Sequence, residues 1–283
     1  MCHTLSLLPL LPQVKPSKSC KSLEECRKVL QHDPGGGLYV GVAANSEGLL
    51  AMTDDANKCV HLLTNEGTLV RSIGRGVLGG SLFGVAFDLK GSIWVTDWEH
   101  NRVVKLSQDG RLLASSEKYS FSQPYGVGVC PEGLIYICDF GRNCVTVHDE
   151  EGKFLYKFGS EESGPGRFNR PHDITFGSDG LVYVSDAGNN RICVQSKEGI
   201  FKRDFKTKHA PNYIAATSDS HLLITSHSSN TIMVYGLQGE LVHEFGGYGS
   251  DPGQFAYPAG ICIDGTGLVF VADYWKRRIQ VFY

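Results

Sequence analysis

The sequence predicts an all-β protein: a six-bladed β-propeller of four-stranded antiparallel blades, its ring closed by an N-terminal strand. Three observations predict it. First, LVYVSDAGNNRICV at 181–194 joins an alternating apolar strand to an Asp, three variable residues, an Asn, an Arg and a second strand. The Asp position recurs as Asp54, Asp97, Asp139, Asp186, Ser226 and Asp273, at spacings of 43, 42, 47, 40 and 47 residues. Five residues on stand Cys59, Arg102, Cys144, Arg191, Thr231 and Arg278. Self-similarity at such a period marks a repeat architecture. Second, a strand opening keeps the same phase at Val42, Val85, Val127, Ile174, Ile214 and Ile261. Pro124, Pro171, Pro211 and Pro258 stand three residues ahead of four of these, and a proline suits a strand entrance because its missing N–H is not needed there. Third, 34 glycines beside only 11 prolines imply many tight turns.

The elements follow in order. Residues 1–25 read as a disordered lead-in. Their apolar stretch from Leu5 to Leu11 lacks a basic flank and a small-residue cleavage site, which argues against a signal peptide. Residues 26–283 form the propeller, with 26–37 as closing strand and linker and 38–283 as six repeats. In the fourth repeat the strands read HDITF, LVYVSD, ICVQSK and FKRDF, separated by the turn signals SDG, AGNN and KEG. One such sheet has two apolar faces, and only neighbours on both sides bury them. The last repeat stops at Tyr283 after its third strand. The segment near Cys26–Gln31 is expected to add the fourth strand and leave no open edge.

Composition narrows the function classes. With 27 basic and 30 acidic residues the net charge is −3, which excludes a strongly basic nucleic-acid binder but not a local basic patch. Nine cysteines, loosely spaced and without CxxC, read as reduced core thiols. Together with the lack of an N-x-S/T sequon they predict a cytoplasmic protein. No apolar run reaches the ~18 residues a membrane helix needs, so no membrane partner is expected.

The repeat unit resembles the NHL repeat family over about residues 38–283. The linkers SGPGRFNRP at 163–171 and SDPGQFAYP at 250–258 carry the likeness, with the endings DAGNNRICV and DYWKRRIQVF. NHL propellers resemble the C-terminal modules of tripartite-motif proteins. That resemblance implies binding of protein partners, including ubiquitin-ligase substrates, or of single-stranded or hairpin RNA. The RING and B-box arrays that carry ligase chemistry in that family do not appear in this sequence.

The Asp…Arg box reads as architecture. An Asp ending a strand accepts turn N–H groups, and the Arg pairs with it across the turn. The variable residues of each box tip the turn between second and third strands. The residue after each strand-entry proline position, from Val40 through Ala259, should share that face nearer the axis. The candidate binding residues are therefore Phe83, Trp98, His100, Tyr125, Phe140, Arg142, His172, Asn212, Tyr274, Trp275, Lys276 and Arg277. Aromatics and Arg are enriched at binding hot spots. Only the sixth box, with Lys276, Arg277 and Arg278, is basic. A protein partner is therefore favoured, with RNA as the alternative and that blade as its phosphate sector.

No catalytic residues, metal, cofactor or small-molecule substrate are expected. Amidating lyases resemble NHL-type propellers and hold zinc with three histidines after such prolines; here only His172 stands in that position. The GRGVLG at 74–79 lies between β units rather than opening a helix. The expectation is a non-enzymatic recognition module.

Overall fold

The computed structural model describes residues 26–30, 37–117, 120–160 and 164–283. The expected lead-in, 1–25, and most of the expected linker, 31–36, lie outside the described residues. The architecture is a six-bladed β-propeller of four-stranded antiparallel sheets. Among the described residues no helix is long and apolar enough to cross a membrane. Lys28–Leu30 pairs with Arg278–Phe282, placing Lys28 opposite Val281 and Leu30 opposite Ile279. The sixth sheet therefore joins Lys28–Leu30 to the three strands of the last repeat and closes the ring, as expected.

In every blade the second strand ends at the box position: Leu49–Asp54, Ile93–Asp97, Ile135–Asp139, Val182–Asp186, His221–Ser226 and Val269–Asp273. The innermost strand begins earlier than the sequence phase indicated. It opens on the proline itself in Pro124–Val129, Pro171–Phe176 and Pro258–Ile263, with a register shift before the Val or Ile three residues on. A first-position proline withholds no ladder donor, and the bulge re-aims the residue that follows it. In the fifth blade Pro211 precedes a shorter inner strand, Ile214–Ala216.

The core lies between blades, as the two-faced sheets demand. Val60, Leu62 and Ile73 of blade one share a buried cluster with Leu82, Val95 and Val104 of blade two. Cys138, Val145 and Val147 of blade three do the same with Ile174, Val184 and Cys193 of blade four. Seven described cysteines are free thiols, five of them buried. Around the axis the inner strands approach closely. A Cβ on Gly84 would sit 2.5 Å from the Tyr125 carbonyl oxygen, so only glycine fits there. Thr96 reinforces this contact: its Oγ1 accepts the Gly84 N–H at 2.7 Å and donates to the Tyr125 carbonyl at 2.6 Å.

Candidate functional site

The site is a face held open by the boxes, so the boxes come first. Arg191 Nε donates to Asp186 Oδ2 at 2.7 Å. The same guanidinium reaches Asp204 and the carbonyls of Gly164 and Arg167. Arg278 repeats this with Asp273 at 2.8 Å and the carbonyls of Ser250, Asp251 and Gln254. Each Arg thus ties a strand end to its incoming linker.

The Asn of the box has a role the sequence did not disclose. It adopts a left-handed conformation and reaches into the next blade. Asn101 Oδ1 accepts the N–H of Gln123 at 2.6 Å, Asn143 that of Arg170 at 2.7 Å, and Asn230 that of Tyr257 at 2.8 Å. Those partners each precede a strand-entry proline and themselves have positive φ. A following proline and a side chain both disfavour that conformation, so the Asn bond helps to hold it.

Blade one solves the pairing differently. Cys59 occupies the Arg position, and His61 supplies the cation, with Nε2 2.9 Å from Asp54 Oδ2 and Nδ1 2.8 Å from Ser72 Oγ. Burial opposes both charges, yet the hydrogen bond between them holds His61 up to about 9 and Asp54 down to about 2. Among the described residues, Asp54, Cys59 and His61 are the one group close enough to share a metal ion. The Asp54 oxygens already accept from Leu38, Asn57 and His61, so the group reads as a buried ion pair.

The pair sets a pH dependence. The His61 contribution is full below its ordinary 6.5 and lost as pH rises through about 9; that of Asp54 is full above 3.8 and lost as pH falls through about 2. Between pH 6.5 and 9 the Tm of the wild type is expected to fall more steeply than that of His61→Gln. Parallel melting curves across that range would contradict it.

Four expected residues converge at the mouth of the central channel. The Tyr125 ring stacks between those of Phe83 and His172, 4.4 Å from each centroid. Asn212 Nδ2 donates to His172 Nδ1 at 3.0 Å. Burial, reinforced by the charge of Arg170, holds His172 down to about 4, so the ring is neutral and free to accept. Phe140 lies 5.9 Å from Tyr125, and Trp98 lies 5.8 Å from Phe83.

Of the four box-turn aromatics, Trp98, Phe140 and Tyr274 are half-buried and pack against the core. Each box turn folds back over the inner strands, which gives these rings an apolar seat. Trp275 alone of the four projects, 62% exposed.

The aromatic contacts continue from Tyr125 through Tyr213, His227 and Tyr257 to Tyr274 and Trp275. Tyr213, His227 and Tyr257 were not selected from the sequence. The signal for Tyr257 was its place before Pro258, in the linker pinned by Asn230. His227 stacks on Tyr257 at 3.9 Å, and burial, with His172 adding to it, pushes it down to about 3. A cavity of about 240 Å³ opens among Asp55, Phe83, His227, Tyr257, Tyr274 and Trp275.

The polar candidates are less free. His100 Nδ1 lies 2.9 Å from Asp97, and Arg142 Nη1 lies 3.3 Å from Asp139 and bonds the Ser120 carbonyl. Lys276 sits 5.9 Å over the Tyr248 ring, and Arg277 is exposed. Arg278, counted with the basic sector in the sequence, is only 5% exposed and belongs to its box.

The NHL repeat is matched at residues 121–147, 168–194 and 255–282, in blades three, four and six. Over 164 residues the chain is 28% identical to Protein brain tumor of Drosophila melanogaster, a match covering 57% of this chain and 12% of that protein. Both findings support the NHL β-propeller family. Among solved structures, a streptogramin B lyase superposes with a TM-score of 0.72 at 16% identity, covering 93% of this chain and 99% of that one. A gluconolactonase from Xanthomonas campestris gives 0.72 at 14%, covering 99% of each chain. A chain of the nidogen/laminin complex gives 0.68 at 20%, covering 77% of this chain and 83% of that one. At these identities the likeness is one of fold. It corrects the expectation that the protein is not an enzyme. The same propeller serves a lyase and a gluconolactonase, so the fold gives no ground for excluding catalysis.

Proposed function

We propose that the aromatic mouth is a recognition surface for a protein partner. The observation that carries this reading is the run of contacting rings around the channel, from Trp98 and Phe83 to Tyr274 and Trp275. Aromatic anchors over a desolvated centre, rimmed by charges of both signs, are the composition of binding hot spots. Here the rim carries Asp55 and Glu99 beside Arg142, Arg170, Lys276 and Arg277. A similar propeller occurs in the nidogen/laminin complex. The setting we infer is cytoplasmic delivery of a regulatory target to ubiquitin-linked control; this part rests on the resemblance to tripartite-motif propellers.

The burial of Arg278 weakens the RNA alternative, because phosphate binding needs clustered free cations. The test is binding of a labelled, randomised RNA pool at low and high salt. The expected result is weak binding indifferent to Trp275→Ala. Tight, salt-steep binding abolished by Lys276→Glu with Arg277→Glu would replace the protein reading with RNA.

A further inference from the structure

We infer that the cavity at the mouth is an aromatic cage for a methylated ammonium group, presented by a lysine side chain of the partner. The inference rests on the protein-recognition reading of the same face and names the chemistry that the face selects. Three rings, Tyr257, Tyr274 and Trp275, meet at 52°, 67° and 75°, with centroids 4.7 to 6.3 Å apart. Rings inclined to one another by 52° to 75° form walls rather than a stack. A cation seated among them lies within the roughly 6 Å over which ring faces attract it. Phe83 lines the far side, and the cavity of about 240 Å³ leaves room for a branched head group.

One carboxylate reaches this apolar space. Asp55 lines the cavity, and its Oδ1 holds Lys58 at 2.9 Å and the Leu82 N–H at 3.0 Å. Its Oδ2 accepts no hydrogen bond from the described residues, so half of the carboxylate remains for a ligand. His227 also lines the cavity, and its buried Nε2 has no hydrogen-bond partner among the described residues. Being neutral, that ring does not repel a cation. The nearby ammonium of Lys276 is directed over Tyr248. Methylation matters because it spreads the charge over an apolar surface, which suits rings better than a strongly hydrated ammonium does.

The test uses choline and its neutral carbon isostere, dimethylbutanol, titrated against the whole protein while the Trp275 indole signal is followed by NMR. Choline is expected to bind about tenfold tighter than the isostere. Tyr274→Ala should abolish the difference, Asp55→Asn should shrink it, and Lys58→Ala should enlarge it by releasing the carboxylate. Equal binding of the two probes would make the cavity merely apolar and overturn the cage. Failure of choline to bind would overturn it too. Neither failure bears on whether the mouth binds a protein, which is read separately by partner capture with mouth variants.

Discussion

Replacing Arg191 by Ala is expected to cost about 3–5 kcal/mol, because one buried partner of a charge pair is removed and the other is left unpaired. Asp186 is fully buried and would lose its 2.7 Å bond, while the Arg167 carbonyl would lose its side-chain donor. At this chain length the Tm should fall by roughly 10 °C. Arg191→Lys should recover little, since an ammonium cannot span the same fork of acceptors. Arg277→Ala is the control: that side chain is exposed, and its loss should stay within about 0.5 kcal/mol. Thermal melts of the three variants decide it, and an Arg191→Ala protein melting with the wild type would refute the architectural role of the box.

The second large effect falls on binding. Trp275 is 62% exposed, so Trp275→Ala should leave the fold intact. It should nevertheless weaken partner affinity by about 2 kcal/mol or more, some thirtyfold, as truncation of a hot-spot anchor does. Trp98→Ala should act in the same direction with some loss of stability, because that ring packs 5.8 Å from Phe83. Lys276→Glu should change association rate and salt dependence more than affinity, as rim charges do.

The sequence made the ring legible for a physical reason. Strand alternation, a turn box and an entry proline are local features, and a phase kept through six copies fixes blade count, strand order and closure. The same phase brought Phe83, Tyr125, His172 and Asn212 to one face, and they do converge. What was hidden depends on contacts between blades. Asn143 is spent on Arg170, which begins the next blade, and nothing in its own repeat shows that. His61 replaces the missing Arg from two residues further on; Gln280 occupies the same seat in blade six, 3.3 Å from Asp273. Counting charge by box placed Arg278 on the surface, whereas four hydrogen bonds hold it inside. Turn position places Trp98, Phe140 and Tyr274 on the face but does not show how far each ring folds back upon it.

Recognition at the mouth, as proposed, can be tested on the whole protein. The most direct measurement is quantitative capture of protein partners by three baits: the wild type, the Trp98→Ala/Trp275→Ala variant, and Leu89→Ala as a control. Leu89 is 69% exposed on the turn between the first and second strands of blade two, at the opposite end of the propeller. Thermal melts confirm that each bait is folded. Partners held by the wild type are expected to persist with Leu89→Ala and to be lost from the double variant. Partners retained by the folded double variant, or lost with Leu89→Ala instead, would contradict recognition at the mouth.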